Sequence, residues 1–167
     1  MLRHLRKEEY DEKQKLEIII LEHYEEIYKY CYRHLGRKEP AEDITQEVFL
    51  KFMVHSGEYR EKGKMRNYLY VIARNAIRDF RKKKTLEDRY SVPELGQSDE
   101  TGQMIERIHI ADCLASLSHA DRELIILRYY QELKFKDIAA ILEMPVSTVR
   151  YQMKQAEQRL KERLEER

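Results

Sequence analysis

The chain has 167 residues, 38% of them charged, yet 32 Lys and Arg against 31 Asp and Glu leave a formal net charge of only +1. Five glycines, three prolines and no tryptophan go with that charge, a mixture that favours helix over strand and suits one medium domain or two small ones. No apolar run approaches the roughly 20 residues of a membrane span, and the opening MLRHLRKEEYDEKQKLE lacks the apolar stretch and small-residue cleavage site of a signal peptide, so a cytoplasmic protein without membrane insertion is expected.

The first predicted helix covers 16–34, where Ile20, Tyr24, Ile27 and Cys31 recur at helical spacing. Gly36 stops it, and Pro40-Ala41-Glu42-Asp43 starts a second helix. That helix carries Ile44, Val48, Phe49, Phe52 and Met53 toward a core. It leaves a polar set, Asp43, Gln46 and Glu47, off the apolar stripe. The charged, glycine-containing stretch HSGEYREKGK (55–64) reads as a loop.

A third helix is expected over 65–83. Wound at about 100° per residue, it gathers Met65, Leu69, Ile72, Ala73, Ala76 and Phe80 on one face. Asn67, Arg74, Arg78, Arg81 and Lys82 fall opposite. Its last stretch, IARNAIRDFRKKK (72–84), holds six bases against the single acid Asp79. If the apolar face packs on the first two helices, the basic face is left free, and a one-signed face of this kind is the footprint of phosphate contacts. Tyr59, Tyr68 and Tyr70 flank it and are suited to stacking on unpaired bases, with core packing the alternative for Tyr68 and Tyr70.

Composition then shifts. Over 86–109 six acids face two bases among Pro93, Gly96, Ser98 and Gly102, the profile of a flexible acidic linker. A second helical block begins near Met104. Within it, KFKDIAAILEMPVSTVRYQMKQAEQRL (134–160) divides into a short helix, a turn at Glu143-Met144-Pro145 and a longer helix. This is helix-turn-helix spacing. Ala139 is small where two helices cross, and Ile138, Leu142, Val149 and Met153 supply the shared core. Ser147, Thr148, Arg150, Tyr151, Lys154 and Gln155 remain outside, with Arg suited to guanine, Gln to adenine and Ser or Thr to phosphate.

Nothing points to catalysis. Cys31 and Cys113 lie far apart in apolar helical patterns and read as buried thiols. The histidines show no metal-ligand spacing, and there is no phosphate-binding loop or nucleophile elbow. No enzyme, metal or cofactor is expected.

Four stretches in order, PAEDITQEVFLKF, RNYLYVIARNAIRDFRKKK, LSHADRELIILRYY and FKDIAAILEMPVSTVRYQMKQAEQRL, make the chain resemble a bacterial sigma factor of the extracytoplasmic-function (ECF) branch. The resemblance implies an all-α fold of two small helical domains joined by a flexible linker. A sigma-2-like domain would occupy 1–84, the linker 85–107 and a sigma-4-like helix-turn-helix domain 108–167. It implies core RNA polymerase as partner, through the β′ clamp helices and the β subunit, together with promoter DNA and an anti-sigma factor. Asp43, Gln46, Glu47 and Leu50 would then contact polymerase. Asn67, Tyr68, Arg74, Asn75 and Arg78 would meet the −10 element, its flipped base held by the 55–64 loop. Ser147, Thr148, Arg150, Tyr151, Lys154 and Gln155 would read the −35 element. The family often has Trp where Tyr68 stands, an aromatic where Met65 stands, Gly where Ser147 stands and a base where Gln155 stands. Two other functions stay open on the residues alone: a helix-turn-helix regulator binding DNA as a dimer, and a helical protein-binding adaptor.

Overall fold

The computed structural model describes residues 2–55, 64–84 and 102–166. Among the described residues the fold is all-α, as the composition implies. Three helices form a first group: α1 (Leu2–Leu35), α2 (Lys38–His55) and α3 (Met65–Lys83). A second group holds α4 (Gly102–Ser116), α5 (His119–Ile125), α6 (Phe135–Leu142) and α7 (Val146–Glu165). A π-helical turn, Ile126–Tyr130, extends α5. Most of the loop expected at 55–64, with Tyr59, and residues 85–101 of the linker expected over 85–107 lie outside the described residues, while 102–107 of that span belong to α4.

In the first group Ile27, Tyr30 and Cys31 of α1 meet Ile44, Val48, Phe49 and Phe52 of α2 and Leu69, Tyr70, Ala73 and Ala76 of α3, all buried. Burial pushes the Cys31 thiol up to about 12. Gly36 ends α1 as expected. At φ 71° it sits in the left-handed region that glycine adopts without steric cost, and its N–H donates to the Tyr32 carbonyl at 2.8 Å. α1 itself starts some four turns before the expected 16–34 span. Residues 8–15 of that extension are all exposed, so no apolar stripe announces them.

Met53 departs from expectation. It points outward at 41% exposure, because at 100° per residue it falls past the edge of the Ile44–Val48–Phe52 stripe. α4 likewise starts at Gly102, slightly ahead of the expected Met104.

In the second group Ser118 caps α5, its hydroxyl accepting from the Asp121 N–H at 3.1 Å. Arg159 of α7 donates to both carboxylate oxygens of Asp121 at 2.9 Å and so ties α7 to α5. The π turn closes with the Gln131 N–H donating to the Ile126 carbonyl at 3.0 Å. Together with the end of α5 it buries the consecutive run Leu124, Ile125, Ile126 and Leu127, a pattern no single helical period produces.

α6 and α7 form the expected helix-turn-helix, with Ile138, Ala139, Leu142, Val149 and Met153 buried between them. Glu143 ends α6 at φ 54°, where a side chain costs about 1–2 kcal/mol relative to glycine's freedom. Glu143→Gly is therefore expected to stabilise the protein by about 0.5–1 kcal/mol, part of the relief being offset by glycine's unfolded-state entropy. Thermal denaturation checks this. A melting temperature that stays level or falls would show that the Glu143 conformation is not strained.

Candidate nucleic-acid and polymerase interfaces

α2 presents a mixed face away from its core. Asp43, Gln46, Leu50, Met53 and Val54 are all exposed, Leu50 at 60% and Val54 at 79%. Glu47, half-buried, pairs with Lys51 at 2.6 Å. The four residues expected to contact a protein partner thus share one surface. Met53 and Val54 enlarge it with apolar area that the sequence pattern assigned to the core or passed over. Apolar side chains exposed next to polar ones are the composition of a protein-docking patch.

α7 presents the helix-turn-helix outer face. Ser147, Arg150, Tyr151 and Lys154 are exposed, Tyr151 at 67%, while Thr148 and Gln155 are half-buried along its edge. Pro145 directs the chain into the helix, and Val149, Met153 and Ala156 anchor the opposite side. The Arg150 guanidinium lies 5.1 Å from the centre of the Phe135 ring on α6. This is a cation–π contact between the two helices of the motif. All six expected residues therefore sit on one face of a single rigid helix.

The basic face of α3 is arranged differently from expectation, which left it free. Arg78, Lys82 and Lys83 are exposed, but the Asn67–Arg74–Arg81 edge is covered by the second helical group. The Asn67 amide donates to Asp137 of α6 at 3.1 Å. Arg66 donates to Glu26 at 2.8 Å and to the Gln131 carbonyl at 3.3 Å. Arg81 donates to the His34 carbonyl at 2.8 Å. Arg74 is half-buried, with its Nε shielded from solvent and without a hydrogen-bond partner. Asn75 accepts from Arg78 at 3.1 Å. Tyr68 is half-buried, set edge-on to Phe52 at 6.2 Å.

The covering rests on tyrosines. Tyr70, which sequence left open between stacking and core packing, is fully buried and donates to Gln131 at 2.8 Å. Burial and the nearby Glu26 carboxylate push its hydroxyl well above the ordinary tyrosine range. Tyr30 stands edge-on to Tyr70 at 5.2 Å and donates to Glu123 of α5 at 2.5 Å. Burial raises Glu123, against the pull of the Tyr30 bond and of Arg74 and Arg81. Arg33 lies over the Tyr130 ring at 3.9 Å. Helical wheels of α3 alone do not reveal these partners, because they come from the far end of the sequence. The one local clue is Glu123 itself, a carboxylate set against the apolar run Leu124-Ile125-Ile126-Leu127, which must find a buried donor.

Among the described residues no helix is long and apolar enough to cross a membrane.

Comparison with known proteins matches both groups. The family model described as Sigma-70 region 2 matches residues 19–87, and that described as Sigma-70, region 4 matches residues 107–160. The chain is 30% identical to the ECF RNA polymerase sigma factor SigL of Mycobacterium tuberculosis over 152 residues, 87% of this chain and 86% of that protein. It is also 30% identical to the ECF RNA polymerase sigma factor SigW of Bacillus subtilis over 158 residues, covering 84% and 83% of the two chains. In fold it is similar to the sigma factor RpoE of Bartonella quintana, solved with the anti-sigma factor NepR, with a TM-score of 0.71 at 22% identity over 94% of this chain and 99% of that one.

Proposed function

The chain belongs to the ECF sigma factors of the sigma-70 family, and from that membership we propose that it binds core RNA polymerase as a dissociable subunit and directs it to promoters, acting as an initiation factor and not as an enzyme. The α1–α3 group, about 1–84, would serve polymerase binding and the −10 element, and the α4–α7 group the −35 element. The observation that carries this reading is the pairing of two unoccluded faces on different groups: the Asp43–Gln46–Glu47–Leu50 face of α2, suited to a protein, and the Ser147–Gln155 face of α7, suited to a major groove. Both would act in the cytoplasm, where polymerase and promoters are.

We further propose that an anti-sigma factor holds the protein in reserve. The covered α3 edge supports this, because a partner need only prolong the closed packing to keep Asn67 and Arg74 from DNA.

Run-off transcription tests the function. Core polymerase with this protein should transcribe from a subset of a promoter library that core alone ignores. A dimeric regulator would bind the same fragments without polymerase and start no transcripts. In the same assay Arg150→Ala is expected to lose about 1–3 kcal/mol at one upstream base position, roughly 5- to 150-fold, while other positions keep their preference. Gln155→Ala should relax a second position. An upstream preference unaltered in both variants would place the readout off α7.

A further inference from the structure

We propose that His34, His119 and Glu123 form a site for a transition metal of the Zn²⁺ type, tying α1 to α5 across the contact between the two helical groups. His34 is more than nine-tenths buried, and both its ring nitrogens are shielded without a hydrogen-bond partner, a condition buried polar atoms seldom keep. Its Nε2 lies 3.5 Å from a Glu123 carboxylate oxygen. The ligand atoms of all three residues fall within 4.8 Å of one another. A tetrahedral Zn²⁺ with bonds of about 2.0–2.2 Å sets its ligands about 3.3–3.6 Å apart. His34 and Glu123 already stand at that separation. The exposed His119 ring closes the remaining gap of roughly 1 Å, and its exposed side leaves a position for water.

The surroundings suit ligation. The other Glu123 oxygen accepts from the Tyr30 hydroxyl at 2.5 Å, the kind of outer bond that fixes a ligating carboxylate. Burial, reinforced by Arg81, His119, Arg122 and Arg74, holds the His34 imidazole well below its ordinary range.

The arginines also repel a dication. Arg122 directs its donors to the carbonyls of Leu114, Ala115 and Leu117, and Arg81 to that of His34. Their field still disfavours Mg²⁺ and Ca²⁺, which rely on oxygen ligands and charge, and leaves metals that bond strongly to imidazole. Sequence spacing shows only part of the site: His119 and Glu123 stand four residues apart on α5, while His34 belongs to the other group. The same division makes it conformation-selective: separating the groups removes His34 from Glu123, so metal favours the closed form.

The experiment titrates chelator-treated full-length protein with Zn²⁺ by calorimetry, and with Co²⁺ for its ligand-field absorption. One saturable equivalent is expected, with the visible bands of four-coordinate Co²⁺ and a shorter distance between fluorophores on α2 and α7. His119→Gln, a change at an exposed position, should weaken Zn²⁺ binding at least about tenfold, and Tyr30→Phe about 10- to 100-fold. Absence of a saturable site in the parent would overturn the proposal, as would parental affinity in folded His119→Gln and His34→Gln proteins. None of these readouts involves polymerase, so failure here leaves the promoter-recognition reading untouched.

Discussion

Leu50→Asp protein is expected to bind core polymerase roughly 30- to 700-fold more weakly than the parent while melting at the same temperature. Leu50 is 60% exposed on α2, so placing a charge there removes no core contact and should change stability by no more than about 0.5 kcal/mol. On the proposed interface the same side chain is the apolar centre of a polar patch. Truncating or charging such an anchor costs about 2–4 kcal/mol of binding, and each 1.4 kcal/mol is about tenfold in Kd. Glu47→Lys offers a second reading of the surface. It replaces the Glu47–Lys51 pair with two like charges, a small change for the fold because exposed pairs contribute little, but it inverts the charge shown to the partner. Titration of labelled protein with core enzyme decides the matter. Parental affinity in both folded variants would remove α2 from the polymerase contact.

The Arg74→Ala/Arg78→Ala double variant should keep its grip on core polymerase but lose at least about tenfold of the permanganate reactivity of unpaired promoter thymines. Opening duplex costs about 1.4 kcal/mol per base-pair step. Two arginines one helical turn apart follow a single backbone, and phosphate contacts of this kind also set the salt dependence of binding. Arg78 is available as the protein stands, whereas Arg74 has its Nε shielded by the second helical group. The variant therefore tests the two residues only after the groups have separated on polymerase. Full thymine reactivity at matched salt and occupancy would reduce this face to a solvated surface.

Much of the architecture can be read from residue order. The α2 and α3 stripes, Gly36 as a stop, and the turn at Glu143-Met144-Pro145 follow from local periodicity and backbone preference, which act within a few residues. Both unoccluded faces, on α2 and α7, follow the same way, since each is what remains when a buried stripe is subtracted. The covered edge of α3 does not. Asn67 meets Asp137, Tyr70 meets Gln131 and Tyr30 meets Glu123 across separations of 70, 61 and 93 residues, and no helical wheel carries that information. Met53 was lost for another reason: an apolar residue at the margin of a stripe has the composition of the core and the position of the surface.

The Asn67–Asp137 bond carries a consequence for how tightly this protein can hold a promoter. In the closed form Asp137 occupies the amide donor of Asn67 much as an acceptor on a base edge would. On the proposed reading, recognition by Asn67 is a swap of one acceptor for another, with little net gain in hydrogen bonding. An internal decoy of this sort tempers affinity for every promoter by the same factor, because the closed form must be given up whichever base is met, and so it leaves discrimination intact. On that reading Asp137 sets how readily Asn67 is released to any promoter, although it lies on α6 of the helix-turn-helix.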